Sequence, residues 1–301
     1  MQQRNLILGQ ILSICLTAGS SFHNRLVYKY GLQLEALEMV FVYSVVSVLF
    51  WFYHYRLTSS SFHISKLKTK LVDLLVISAN DFCATILALK AYSYISLPLV
   101  ALLSTISTPT VMLFSIMILK AKYSWKKIAG AGLSVIGVLG ICIYDLLNLR
   151  KDPSSNLESS SLAYVGYAFA ISSAIFYGAG NVLSEKVLKE GVSLAEFLAL
   201  NSSFSSVFSI CYLYSKFTIL VVTSFRGFRQ GRDVVEIFNG STRTTALFLG
   251  YGVAMISFYS LMPVLMISSS AALLNLSLLT FNFYTIGIEV LVFQKSVIES
   301  C

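Results

Sequence analysis

Nine long apolar stretches run through this 301-residue chain, and the first and sixth carry the same stripe of small residues. Gly9, Ser13, Thr17 and Ser21 recur every four residues and lead to Asn24. Gly166, Ala170, Ala174 and Gly178 do the same and lead to Asn181, at a constant offset. Small residues four apart line one helix face and let another helix come close in lipid. The same stripe half a chain later points to duplicated halves, a build common among secondary transporters, with the site between the halves.

Composition agrees. Hydrophobic residues make up 56% of the chain and charged residues 12%. A soluble protein is about 25% charged, so the deficit fits a polytopic membrane protein. The length suits about nine or ten spans of roughly 20 residues. The formal charge of +8 sits in loops between spans, where it orients a membrane protein, and no nucleic-acid partner is expected. Cys15, Cys83, Cys142 and Cys211 lie in apolar segments without metal or haem spacing and read as small apolar residues. His23, His54 and His63 lie near span ends or in a loop and form no ligand cluster. No metal site and no cofactor are expected. The first segment also resembles a signal peptide, but its stripe is matched in the sixth span, which favours a retained helix.

Spans are expected near 5–27, 36–54, 71–91, 95–119, 127–147, 161–184, 194–222, 245–265 and 268–293. Residues 1–147 form the first repeat, 148–160 a polar linker, and 161–301 the second repeat. The fifth span should have a tenth-span partner, and the sequence ends about where that partner would begin. The short loops favour a cytosolic N-terminus, although the basic loop 226–243 brings the two sides level. On that orientation Asn239-Gly240-Ser241 is a lumenal or extracellular glycosylation acceptor, or an unused one.

The short motifs follow one another in a recognisable order. Leu8-Gly9-Gln10 opens the first span; Asp81, Ala84, Leu87 and Lys90-Ala91-Tyr92 mark the third; Leu102-Leu103 and Pro109-Thr110 lie in the fourth. Asn181 and Glu185 end the sixth, Tyr259-Ser260 and Met262-Pro263-Val264 mark the eighth, and Asn275-Leu276 with Leu279-Thr280 the ninth. Together they resemble solute carrier family 35, subfamily F, in the drug/metabolite transporter superfamily, related to nucleotide-sugar transporters. The resemblance implies an all-α inverted-repeat bundle of the ten-helix type around a central polar cavity, here with about nine helices and the tenth missing. That family often carries acidic residues where this chain has Cys83, Ser104 and Asn282.

A charge in hydrocarbon is costly, so an ionisable residue within a span is a site candidate by default. Asp81 and Lys90 lie nine residues apart on the third span, on opposite sides of the helix, and roughly 13 Å apart along its axis. Asp81 would bind a solute donor or a proton, or sit in a structural network; Lys90 would attract an anionic or carbonyl group, or snorkel to the interface. Asn24, Asn181 and Asn275 are amides that need partners in lipid. Gln10 and the hydroxyls Ser104, Thr105, Ser107 and Thr108 would line a cavity or bond their own backbone. Tyr92, Tyr177, Tyr259 and Tyr284 would stack a planar base or sugar, or anchor at the interface. Pro109 and Pro263 would kink their spans near a site. Glu289 is a further proton-site candidate, and Glu185-Lys186 read as a loop charge cluster.

No phosphate loop, HExxH or GxSxG motif is present, so an enzyme is not expected. The chain reads as a carrier of a small polar organic solute by alternating access, with a nucleoside, nucleobase-like or nucleotide-derived solute favoured on the resemblance. The alternatives are a truncated, non-transporting membrane partner and a membrane-embedded enzyme. Either the endomembrane system or the plasma membrane would suit it, and a homodimer stays open.

Overall fold

A computed structural model describes residues 2–32, 34–57, 64–151, 157–222 and 242–291. The helices are α1 (Gln2–Tyr30), α2 (Glu35–Leu57), α3 (Ile64–Ala91), α4 (Leu97–Ser104), α5 (Ser107–Leu119), α6 (Trp125–Lys151), α7 (Leu157–Lys189), α8 (Leu194–Val222), α9 (Thr242–Ser268), α10 (Ala271–Leu278) and α11 (Thr280–Leu291). Among the described residues, nine segments are long and apolar enough to cross a membrane, from Gln3–Tyr30 to Ala271–Ile288. They fall on the nine expected spans. The fourth span is α4 with α5, the fifth to eighth are α6 to α9, and the ninth is α10 with α11. The protein is therefore an integral, multi-pass, all-helical membrane protein.

The helices pair as two related sets. Span one packs on span eight and span six on span three, while spans two and seven pack on each other. The pattern survives exchange of spans one to four with six to nine. The two–seven contact shows the exchange at single residues. Ser44 Oγ lies 2.8 Å from Ser206 Oγ, and Ser47 Oγ lies 2.7 Å from Ser203 Oγ. The spacing of three residues on each antiparallel helix puts both hydroxyls on one face.

The small-residue stripe is what brings the outer spans this close. A Cβ on Gly9 would lie 2.3 Å from the Ser277 hydroxyl, so α1 approaches α10 nearly backbone to backbone. There Ser13 Oγ donates to the Ser277 carbonyl at 2.8 Å. The matched Gly166 sits against Tyr94 and Ile95, just before α4, where a Cβ would be 2.7 Å from Tyr94. Glycine is required at both points because any side chain would push the neighbouring segment away.

Spans four and nine are each broken after an eight-residue half-helix. At the first break Thr105 and Ile106 bond back three residues rather than four, and the Ser104 and Thr105 hydroxyls take the Ala101 and Leu102 carbonyls at 2.6 and 2.7 Å. At the second, Thr280 Oγ1 takes the Ser277 carbonyl at 2.8 Å. Side-chain hydroxyls thus satisfy backbone groups that a break would leave bare in lipid. Pro109 begins the helix after the first break, as expected. Pro263 instead lies inside the continuous α9, and the break in span nine at Leu279 has no proline.

The sixth span runs to Lys189, past its expected end at 184, because its charges are paired. Glu185, almost fully buried, accepts from Lys189 and, through Oε2, from the Ala271 backbone N–H at 2.8 Å. The expected loop cluster at Glu185 is thus a cap on the N-terminus of α10, where a carboxylate is favoured by the helix dipole. Nearby Lys70 donates to Glu190, which holds the Glu190 carboxyl below its ordinary range. Helices α6 and α7 extend into both ends of the expected linker 148–160, with residues 152–156 outside the described residues. The sequon Asn239-Gly240-Ser241, most of the basic loop, the Glu289 side chain and residues 292–301 also lie outside them. Span five (α6) packs on α5 and α7 at the periphery and turns most of its surface outward.

Candidate functional site

Spans one, three, four, six, eight and nine enclose a central cavity of about 110 Å3. Its position follows from the two breaks: Ser104, Thr105 and Ser107 line it from span four, and Leu278 and Leu279 from span nine. The half-helices leave room that two unbroken helices would fill. Asp81, near the middle of α3, enters from one side with Thr85 one turn on. Tyr92, Tyr177, Tyr251, Phe258, Tyr259 and Met255 add aromatic rings and a thioether to a wall that is otherwise mostly small and aliphatic. Among the described residues, Asp81 is the sole carboxylic acid in this lining, and no lysine, arginine or histidine belongs to it.

Toward the N-terminal face the cavity ends on a hydroxyl cluster. Tyr43, from α2, donates its hydroxyl to Asp81 Oδ2 at 2.7 Å. Thr85 Oγ1 lies 3.0 Å from the hydroxyls of Tyr43, Tyr177 and Tyr259. Four helices, α2, α3, α7 and α9, meet at that one threonine. Beneath it lies a smaller cavity of about 20 Å3, bounded by Asn80, Phe197, Asn201 and Pro263. Asp81, Tyr177, Asn181, Tyr259 and Met262 line both cavities. The layer between them is therefore one side chain thick.

Of the residues proposed from sequence, Asp81, Ser104, Asn181, Asn275 and Tyr259 lie in the central lining. Asn275 also donates to the Ala271 carbonyl at 2.9 Å, so part of its amide serves α10. Ser104 and Thr105 both bond their own backbone and face the cavity. Three proposed residues are placed elsewhere. Gln10 Oε1 accepts from Tyr284 at 3.0 Å and lies 3.1 Å from Thr280 Oγ1, tying α1 to α11. Lys90 turns away from the cavity, its Nζ 5.9 Å from the Tyr212 ring centre. Asn24 is buried outside the lining, and its Oδ1 has no hydrogen-bond partner among the described residues. Asn24 and Asn181 occupy matched positions in the stripes, yet only Asn181 reaches the cavity.

Sequence reasoning missed Tyr43, Thr85 and the buried pair His23–Glu38. Thr85 had a readable signal, since it stands four residues from Asp81 on the same helix face. His23 and Glu38 had a stronger one, because both are ionisable residues inside apolar spans. Tyr43 had none: it meets Asp81 only through the packing of α2 on α3.

The sequence profile described as Solute carrier family 35 (SLC35F) matches residues 2–299. Solute carrier family 35 member F2 of Mus musculus is 25% identical over 291 residues, covering 97% of this chain and 72% of the mouse protein. An uncharacterised solute carrier family 35 member of Schizosaccharomyces pombe is 24% identical over 287 residues, covering 95% of this chain and 52% of its own length. Member F2 of Xenopus tropicalis is 26% identical over 205 residues, 68% of this chain and 48% of the frog protein. The chain thus spans about half the length of two of these relatives. A profile that matches almost end to end, on a bundle of broken helices around a cavity, places the chain in the SLC35F group of solute carrier family 35, a family of multi-pass membrane transporters.

Proposed function

We propose that this carrier moves a small planar solute, uncharged or singly cationic, of the nucleoside or nucleobase-like class, by alternating access. The observation that carries this reading is the charge of the cavity wall: among the described residues it has one carboxylate, many hydroxyls and aromatic rings, and no basic side chain. A phosphate in a desolvated site is ordinarily held by Arg or Lys. Without either, a nucleotide or nucleotide sugar would bury its charge unpaired, at a cost of several kcal/mol. This disfavours the nucleotide-derived part of the sequence-based expectation. Size argues the same way. A cavity of about 110 Å3 is on the order of one that admits a single benzene ring, roughly 150 Å3, so it suits a nucleobase-sized ring as it stands and a nucleoside only once the halves part.

In this reading Asp81 accepts a ring or ribose hydrogen bond, or pairs with a ring cation. Tyr177, Tyr259 and Phe258 offer rings to stack on, and Asn181 and Asn275 supply amide groups for the base edge. The thin layer around Thr85 is the gate toward the N-terminal face, since exchanging its hydroxyl partners for the solute or water costs about 1 kcal/mol each. The matching breaks in spans four and nine let the two halves rock about the same point.

Purified chain in proteoliposomes, offered labelled nucleobases and nucleosides with nucleotide sugars as competitors, tests the proposal. Saturable uptake of an uncharged or cationic heterocycle, unaffected by nucleotide sugars, is the expected result. Preferential uptake of a nucleotide sugar would overturn it.

A further inference from the structure

The charges at the end of span six hold the start of span nine. Glu185 on α7 has a side chain only 5% exposed. Its Oε2 accepts from the backbone N–H of Ala271, the first residue of α10, at 2.8 Å. Lys189, one turn on, donates to Glu185 Oε1 and to the Ser269 carbonyl, the latter at 3.3 Å. One turn of α7 thus grips residues 269 and 271. Ser270, between them, accepts from the Leu273 N–H at 3.2 Å. A carboxylate on a helix N-terminus is a charge-assisted acceptor, favoured by the helix dipole and stronger than a neutral one.

Ala271 is held from its other side as well. Asn275 donates an amide N–H to the Ala271 carbonyl at 2.9 Å. Ala271 therefore joins the Glu185 carboxylate to the Asn275 side chain. Helix α7 ends at this face of the bundle and α10 begins there, so both run inward from the joint. Asn181 precedes Glu185 by four residues, and Asn275 follows Ala271 by four. Each amide thus stands about 6 Å inward from the same hydrogen bond. Both line the central cavity. Helix α10 is eight residues long and breaks from α11 at Leu279. Ser13 of α1 fixes its far end through the Ser277 carbonyl at 2.8 Å, and Glu185 fixes its near end.

We propose that Glu185 is a positioning residue for the solute site: by capping α10 it sets the Asn275 amide level with that of Asn181, so that the two read one edge of a planar ring. The inference rests on the carrier reading above. Glu185 is not part of the cavity lining, so its role is geometric. Two amides discriminate between ring edges only while their spacing is fixed. The first turn of an uncapped helix carries unsatisfied N–H groups and frays. In α10 that first turn, residues 271–274, is the one that leads into Asn275. Loosening it weakens the hold on a ring with donors and acceptors along its edge. A ring with fewer such groups loses less.

Two measurements test this, and the first needs no solute. Amide hydrogen exchange of the full chain in nanodiscs is followed over residues 269–278, with and without Glu185→Ala or Glu185→Gln. In Glu185→Ala this segment should exchange roughly tenfold faster, while α2 and α8 keep their rates. Glu185→Gln, whose amide oxygen still accepts from Ala271, should stay within about threefold of the unmutated chain. The second measurement is uptake into proteoliposomes of hypoxanthine, which carries a carbonyl on its ring edge, and of purine, which does not. In Glu185→Ala the half-saturation concentration for hypoxanthine should rise about tenfold, and that for purine less than about twofold. Glu185→Gln should restore most of the difference. Unchanged exchange over 269–278, faster exchange shared equally by every helix, or equal losses for the two solutes would overturn the proposal. If Glu185→Ala does not yield folded protein, Glu185→Gln carries both measurements: a smaller change of the same pattern supports the proposal and no change sinks it. Failure of the carrier reading shows instead as absent uptake of both solutes by the unmutated chain, and the exchange result then decides the clamp by itself.

Discussion

Toward the N-terminal face the central cavity ends on Asp81 and three tyrosine hydroxyls gathered at Thr85, whereas toward the opposite face it ends on Tyr92 and Tyr251 with the His23–Glu38 pair behind them. The first closure is a set of neutral hydrogen bonds around one carboxylate that also lines the cavity. Each bond is worth about 1 kcal/mol and is readily exchanged with water or solute. The second is a buried acid–base pair with no exposed side-chain surface, where loss of either partner strands a charge. A layer of the first kind can recognise a solute and yield by degrees.

Three substitutions probe this contrast, from the largest expected effect to the smallest. Glu38→Ala leaves His23 buried without its partner and should cost about 3–5 kcal/mol, read as a large fall in the detergent melting temperature. A loss no greater than that of a single hydroxyl deletion would erase the difference between the two ends. Asp81→Asn keeps the size of the side chain and removes its charge. Hydrogen bonds to a charged group are worth about 1.5–3 kcal/mol, so uptake should fall on the order of 10- to 100-fold with little change in melting temperature. Equal losses of uptake and stability would make the N-terminal layer structural, like its counterpart. Tyr43→Phe is the mildest. Tyr43 lies outside the central lining and positions Asp81 through one hydrogen bond, worth about 1 kcal/mol. The half-saturation concentration should rise about fivefold with the maximal rate unchanged. A change in the maximal rate alone would show that Tyr43 acts in gating and not in positioning.

Much of the architecture was legible before folding. Length and hydropathy mark a span without reference to its neighbours, so the nine segments fell close to their expected places. The stripes at Gly9 and Gly166 announced close approach, and both glycines sit where a Cβ would collide with the next segment. The breaks were half legible: Pro109 announces one, while Leu279 in span nine carries no such residue. The site was less legible. Asp81 stood out as an acid in an apolar run, and so should Glu38 have done. Lys90, next in sequence to the cavity-lining Leu89, could not be placed from α3 alone, because its direction depends on Tyr212 of α8.

The sequence by itself determined that this chain is a helical membrane protein, because burial in lipid forces every span to be long, apolar and internally hydrogen-bonded. It also singled out Asp81, since an acid in hydrocarbon is expensive wherever it lies. Only the tertiary structure decided that Asp81 meets Tyr43, that His23 meets Glu38, and that Lys90 and Gln10 serve packing instead of the cavity. Those outcomes depend on which helices face one another. In a bundle whose helices are apolar on nearly every side, periodicity along one helix carries little of that information.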